Sequence, residues 1–222
     1  MSSTDAHEFW DGVYAARAEQ PQPQPNLRLT EIVPGPGFPG PGPGPVPGPG
    51  SGDALDLGCG GGGDALWLAE QGWRVTAVDI SAVAADRLTA LAHDRGLGDR
   101  LTAARHDLGG GFPAGEYDLI SAHYLHTPFD LDRASVLRAA AHALRPGGLL
   151  LVVDHGSTAP WSWDQSPDLR YPPPQEVADG IGLDPRTWTV ERADSPRRTA
   201  TGPDGSTAEL TDHVLVIRRA DG

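Results

Sequence analysis

The chain has 222 residues, a formal charge of −13 and a pI near 4.8; this suits one α/β domain with room for a cleft and argues against nucleic acid or an anionic membrane surface as a partner, since both repel such a field. All 17 basic residues are arginine, which excludes Schiff-base chemistry and a P-loop lysine. The single cysteine, Cys59, permits no internal disulfide, the opening residues are too acidic and polar for a signal peptide, and no apolar run could span a bilayer, so a cytoplasmic protein is expected.

In chain order, residues 5–18 predict a short amphipathic helix with Phe9, Trp10, Val13 and Tyr14 on one side. Pro21-Gln-Pro-Gln-Pro25 stops it, and Asn26 is placed to cap a second short helix over 27–33. Residues 34–50 are almost pure Pro-Gly alternation. That stretch has nothing to bury and cannot join a ladder, so it predicts a solvated linker. The expected organisation is a helical cap at 1–33, a linker at 34–52 and a cofactor-binding domain at 53–222.

From Asp53 the pattern alternates. Strands are predicted at 53–58, 73–78, 101–105, 117–121 and 148–153, with helices at 63–71, 81–95 and 131–144. Arg145-Pro-Gly-Gly148 predicts a helix stop and a turn into the fifth strand. Runs as apolar as Leu149-Leu-Leu-Val-Val153 are strands buried on both faces, as parallel strands are. A Trp- and Pro-rich loop over 156–174 and a helix over 175–183 follow. Residues 187–191 and 209–218 then predict paired strands around Gly202-Pro-Asp-Gly205. The fold class expected is α/β, a doubly wound Rossmann-like sheet of seven mostly parallel strands with a C-terminal antiparallel hairpin.

The most informative stretch is Asp53-Ala-Leu-Asp-Leu-Gly-Cys-Gly-Gly-Gly-Gly63, followed by a helical run and Arg74-Val-Thr-Ala-Val-Asp79. A strand enters a glycine turn, a helix leaves it, and the next strand ends in an acid twenty-one positions after Gly58. This spacing brings bare backbone to a ligand and puts Asp79 where it accepts both hydroxyls of a ribose. Gly58, Gly60 and Gly62 supply the turn, with Cys59 as a small packing residue among them. Four glycines in a row fit many templates; Asp56 sharpens them. An acid buried at the end of a strand needs a cation, so it would repel a pyrophosphate and welcome an ammonium or a sulfonium. Ile80 is placed to pack on a purine. Asp107, in His106-Asp107-Leu108, is placed to accept from an adenine amino group. Ser121-Ala122-His123-Tyr124 closes the fourth strand at the topological switch, where cofactor and substrate meet.

As an ordered set, Ala54-Leu-Asp-Leu-Gly-Cys-Gly-Gly-Gly62, Val78-Asp-Ile-Ser81, His106-Asp-Leu108, Tyr117-Asp-Leu-Ile-Ser121 and Leu144-Arg-Pro-Gly-Gly-Leu149 resemble the motifs of class I S-adenosylmethionine-dependent methyltransferases. Phe9-Trp-Asp-Gly-Val-Tyr14 and Asp64-Ala-Leu-Trp-Leu-Ala69 resemble the bacterial branch related to tellurite-resistance and thiopurine methyltransferases. The resemblance covers roughly 8–33 and 53–155. It implies S-adenosylmethionine as cofactor, with Gly58, Gly60 and Gly62 along its methionyl part, Asp79 on the ribose, Asp107 on the adenine and Asp56 on or near the ammonium. Ile80, Leu108, Cys59 and Ala122 complete the implied cofactor-binding set. Two departures stand out: the Pro-Gly insert replaces a short lead-in to the first strand, and Gln24 precedes Pro25-Asn26 where such relatives often carry Trp.

Methyl transfer from a sulfonium needs alignment and exclusion of water, and a base only when the acceptor starts protonated. His123 and His126 are the candidate catalytic residues, and Asp154-His155 face the same cleft. No metal site is expected. Tyr124, Phe129, Trp161 and Trp163 either wall an acceptor pocket or pack a loop, Trp10 and Tyr14 are expected to lid the cofactor mouth, and Arg17 is a candidate to assist at the carboxylate. The leading expectation is methyl transfer to a small-molecule acceptor. The alternatives are a nicotinamide-dependent oxidoreductase, which Asp56 and the terminal hairpin oppose, and a non-enzymatic cofactor-binding module. Monomer and weak dimer stay open.

Overall fold

The computed structural model describes residues 3–16, 22–33, 52–162, 165–166 and 168–221. The Pro-Gly stretch over 34–50, Arg17 and Trp163 lie outside the described residues.

Five strands pair in parallel in the order β3-β2-β1-β4-β5: β1 (Asp53–Leu57), β2 (Arg74–Asp79), β3 (Leu101–Arg105), β4 (Tyr117–His123) and β5 (Leu144–His155). Helices α3 (Gly63–Glu70), α4 (Ala82–Asp94) and α5 (Arg133–His142) form the connections. Because side chains alternate along a strand, each strand buries two separate sets. On one face Ala54, Leu119 and Leu151 pack with Leu66 and Leu68 of α3 and Leu88 of α4. On the other, Leu55, Leu57, Ile120 and Leu150 pack with Val136 and Leu137 of α5. Both faces are covered, which is why these strands read as unbroken apolar runs.

Two helices precede the sheet, α1 (Ser3–Ala16) and α2 (Leu27–Ile32). Asn26 caps α2 by accepting from the Arg28 N–H at 2.9 Å, and Leu29 and Ile32 join the α3 side of the core. After β5 come α6 (Pro174–Ile181) and three strands, β6 (Trp188–Asp194), β7 (Arg197–Thr201) and β8 (Thr207–Arg219). β8 lies antiparallel between β5 and β6, and β7 pairs with the first part of β8.

Here the sequence expectation needs correcting. The C-terminal part has three strands, not two, and the Gly202–Gly205 turn joins β7 to β8 rather than β6 to β8. β7 reads Arg-Arg-Thr-Ala-Thr and is exposed at alternate positions, so it carries no apolar stripe to betray it. β5 also starts earlier than expected, at Leu144. That residue pairs with Tyr117 ahead of a register shift, so Pro146-Gly-Gly148 is an irregularity within the strand.

The chain steps from β1 outward to β2 and β3, then crosses back to β4 on the other side of β1. Their carboxyl ends therefore part, and a crevice opens there. Among the described residues, no helix is long and apolar enough to cross a membrane.

Candidate functional site

The crevice is a cavity of about 350 Å³ at the tips of the parallel strands. Its lining includes Gly58, Asp79, Ile80, Asp107 and Leu108 together with Tyr124, Leu125, His126, Thr127 and Phe129, and Trp10 and Tyr14 of α1.

Asp79 ends β2 and is buried, with each carboxylate oxygen already holding a main-chain donor: Gly60 N–H at 2.9 Å and Ser81 N–H at 2.9 Å. Burial pushes its pKa up from the usual carboxylate value, partly opposed by these donors. Each oxygen keeps a further lone pair. Asp107 closes a tight turn by accepting from Gly109 N–H at 2.9 Å.

The glycine turn serves packing as much as ligand approach. Gly62 takes φ +81°, and a Cβ there would lie 2.4 Å from Leu88 Cδ1 of α4. A Cβ on Gly63 would lie 2.1 Å from the Gln24 carbonyl oxygen. Of the glycines singled out in the sequence, Gly58 reaches the cavity wall, while Gly60 serves Asp79 and Gly62 serves the helix pair. The side chains of Cys59 and Ala122 face the two cores, so any contact they make with a ligand is through main chain. Burial, reinforced by Asp56 and Asp79, pushes the Cys59 thiol up, away from nucleophilic use.

Helix α1 is fastened over the cavity. Asp11 accepts from Ser81 Oγ at 2.5 Å and Val83 N–H at 3.3 Å, adding to the cap that Ser81 gives α4. Arg87 donates to the Tyr14 carbonyl. Trp10 and Tyr14 stand 6.1 Å apart, Trp10 Nε1–H reaches Thr127 at 3.4 Å, and Phe9 meets Phe129 edge-on at 5.4 Å.

Below the glycine turn lies a polar cluster closed to solvent. Asp56, only 2 % exposed, accepts from Ser121 Oγ at 2.8 Å. His123, 9 % exposed, bonds through Nδ1 to Asp64 Oδ2 at 2.8 Å, and Asp64 Oδ1 accepts from Asn26 N–H at 2.6 Å. Burial and the nearby Asp64 push Asp56 up to about 7. For His123, burial opposes the charged form, but Asp64 and Asp56 outweigh it and raise the imidazole above its ordinary value. His123 is a catalytic candidate in sequence; in space it is sealed beneath the turn and does not line the cavity.

His126 differs. It lines the cavity, its side chain is 42 % exposed, and its Nε2 lies 3.2 Å from Asp154 Oδ1. Arg133 Nη2 spans both Asp154 oxygens at 2.7 and 2.6 Å. Burial would raise Asp154, but His126 and Arg133 hold it below the usual range. Beside it, Tyr124 stacks on His155 with ring centroids 4.3 Å apart. Tyr124 is the one non-glycine with positive φ among the described residues, at +51°. Its hydroxyl donates to Asp212 Oδ1 at 3.1 Å. Asp212 is 1 % exposed and also accepts from Arg28 Nε and Arg198 Nε, each at about 3 Å.

This Asp212 hub escapes sequence reading, because it joins residues up to 184 positions apart with no spacing to mark it. Trp161 packs against Gly202 of the β7–β8 turn, away from the cavity lining. No group of three metal-ligating side chains occurs among the described residues.

Comparison with known proteins places the chain. Residues 54–148 match a family described as a methyltransferase domain. No curated protein matches the sequence significantly. A solved structure from work on the conversion of a disulfide bond into a thioacetal group during echinomycin biosynthesis is 26 % identical, with a TM-score of 0.66, covering 96 % of this chain and 93 % of that one. The [4+2]-cyclase SpnF is 18 % identical, with a TM-score of 0.56, over 78 % and 77 %. TehB from Haemophilus influenzae is 20 % identical, with a TM-score of 0.57, over 77 % and 58 %; the last two likenesses speak for fold. The match over 54–148 marks an enzyme with a methyltransferase domain, set on the Rossmann-like fold that methyltransferases share.

Proposed function

From that premise, we propose that the protein transfers a methyl group from S-adenosylmethionine to a small molecule held in the cavity. The single observation that supports this best is one cavity whose lining joins Asp79, Ile80 and Asp107, groups suited to a nucleoside, with His126 and Phe129, groups suited to an acceptor. The residues fit the cofactor. Asp79 keeps lone pairs for a ribose, Ile80 and Leu108 offer apolar faces to a purine, and Asp56 carries a buried oxygen without a partner near the turn. Bound S-adenosylmethionine supplies an electrophilic methyl on a sulfonium, open to in-line displacement. Around it, Trp10, Tyr14 and Phe129 exclude water.

His126 is the base in this reading, in preference to His123. Nε2–H donates to Asp154, which fixes the ring, and Nδ1 is left to take a proton from the acceptor. Asp154 and Arg133 are positioning residues. The small-molecule reading is supported by a concave lining that includes Trp10, Tyr14, Tyr124 and Phe129 and by the net charge of −13. Within it, a sulfur acceptor is the first to test, because the neighbour matched over nearly its whole length concerns the conversion of a disulfide bond.

The test is calorimetric titration with S-adenosylmethionine and S-adenosylhomocysteine, followed by transfer of labelled methyl to thiol, phenol and amine panels. Saturable binding of both cofactor forms and label in a small product are expected. Absence of binding by either would end the proposal.

A further inference from the structure

Helix α1 belongs to neither core. Among the described residues, none from α1 joins the two apolar clusters that hold the sheet. Only its Ala6 is buried, and Phe9 is 43 % exposed. Its inward stripe is Ala6, Trp10 and Tyr14, spaced by four and so on one face, and all three line the cavity. A helix ordinarily stays docked through an apolar face packed on the core. α1 turns that face to the cavity instead.

What fastens α1 is polar and local. Asp11 accepts from Ser81 Oγ and Val83 N–H, and His7 Nε2 lies 4.0 Å from Asp107 Oδ2. Both attachments fall beside the cofactor candidates, since Ser81 N–H donates to Asp79 and Asp107 is the residue assigned to adenine. The Tyr14 hydroxyl rests over the glycine turn, 2.9 Å from where a Cβ on Gly60 would stand. Next to Asp11, Gly12 is exposed at mid-helix, and a Cβ there would meet nothing within 4 Å. Its φ is not positive, so neither packing nor backbone requires a glycine, and the glycine weakens the helix. Segments with so few buried apolar contacts open at low cost.

We propose that α1 is a gate on the cavity, latched by Asp11 and weakened by Gly12, whose opening sets how fast the cofactor enters and leaves. A ligand touches the Trp10 and Tyr14 face only when the gate is shut, so ligand and gate stabilise each other. Asp11 holds the gate to α4 and does not line the cavity; it acts on passage, not on contact with the ligand. The inference rests on the cofactor reading above for its probe and adds a kinetic role to it.

The experiment follows the full chain in two ways. Amide hydrogen exchange is compared over α1 and β1. Entry and release rates are measured with labelled S-adenosylhomocysteine, release being timed by an unlabelled chase. In wild type, α1 amides should exchange faster than those of β1 and slow when the ligand binds. Asp11→Ala should speed both entry and release about tenfold, the weight of one hydrogen bond to a charged group. Ser81 still caps α4 through Ala84 N–H at 3.2 Å, so that helix stands. Gly12→Ala should slow both rates about fivefold, the difference in helix propensity between the two residues. In each variant affinity changes less than either rate, and exchange over α1, but not over β1, moves with release.

Unchanged rates in either folded variant would overturn the inference. So would faster release with unchanged entry, which marks a lost contact rather than a gate, or α1 amides as protected as those of β1 in the free chain. If S-adenosylhomocysteine does not bind wild type, the cofactor reading fails, and α1 exchange in the free chains still decides the gate. Opposite shifts in Asp11→Ala and Gly12→Ala then uphold it, and anything else ends it.

Discussion

His123 and His126 stand three residues apart, each against an aspartate, yet they occupy different solvents. His123 ends a buried strand, its Asp64 partner lies in the first turn of α3, and its ring is almost wholly covered. His126 lies beyond the left-handed turn at Tyr124, paired with Asp154 from the neighbouring strand and open to the cavity. A His-Asp pair is thus no signature of catalysis. What the ring can do depends on which nitrogen is left over and whether a reacting group can reach it. The sealed pair is suited to holding charge still, the open pair to moving a proton.

The sharpest break between the two regions lies in stability against pH. Asp56 is a carboxyl whose folded value is raised by burial, from the ordinary 3.8 to about 7. The folded state therefore holds the proton more tightly than the unfolded one. Stability is fully present below about pH 4 and is lost as pH rises toward and past 7, by a few kcal/mol at most given about 1.4 kcal/mol per unit. His123 is raised too, so its contribution is present below its unfolded value and is also lost as pH rises. Asp56→Asn should therefore raise the melting temperature at pH 8 far more than at pH 5, measured by calorimetric melting at both. A gain that is equal at both pH values would show that burial of this charge is not what limits stability.

The open pair predicts the reverse pattern. His126→Gln should leave the unfolding free energy within about 0.5 kcal/mol of wild type, as surface substitutions do. It should slow methyl transfer to a protonated acceptor by about 10²–10⁴, the usual weight of a general base. S-adenosylhomocysteine affinity should be unchanged. Full activity in His126→Gln would mean that the acceptor arrives deprotonated or carries no proton on the reacting atom.

Between these extremes lies Asp79. Asp79→Ala should weaken S-adenosylhomocysteine binding by about 1.5–3 kcal/mol, the cost of losing hydrogen bonds to a charged acceptor. Part of any loss belongs to the turn itself, since Gly60 and Ser81 also lose their acceptor. Comparison with adenosine, which shares the ribose, separates the two: both ligands should weaken together.

What could be read in the sequence divides along the same line. The parallel strands, the glycine turn and the acids at the ends of β2 and β3 follow from periodicity and spacing, because a βαβ unit fixes where each residue emerges. The distinction between His123 and His126 was not legible there. It depends on the last in-register residue of β4 and on a φ of +51° at Tyr124, which no composition signals in a residue with a Cβ. β7 was missed for want of an apolar face, and Asp212 because its partners come from α2, β7 and the end of β4.

The smallest effect expected tests that hub. Tyr124→Phe deletes the hydroxyl donor to Asp212 and leaves the ring on His155. Asp212 keeps Arg28 and Arg198, so no buried charge is orphaned. The cost should be that of one hydrogen bond, about 0.5–1.5 kcal/mol in a denaturant melt. Tyr124→Gly removes the steric penalty of the left-handed turn, about 1–2 kcal/mol, but also the stacked ring, so it should gain little or lose. If Tyr124→Phe is as damaging as removal of the whole ring, the hydroxyl and not the stack holds the turn that carries His126. The acceptor end of the cavity would then be set from Asp212, at the junction of the N-terminal segment and the C-terminal strands.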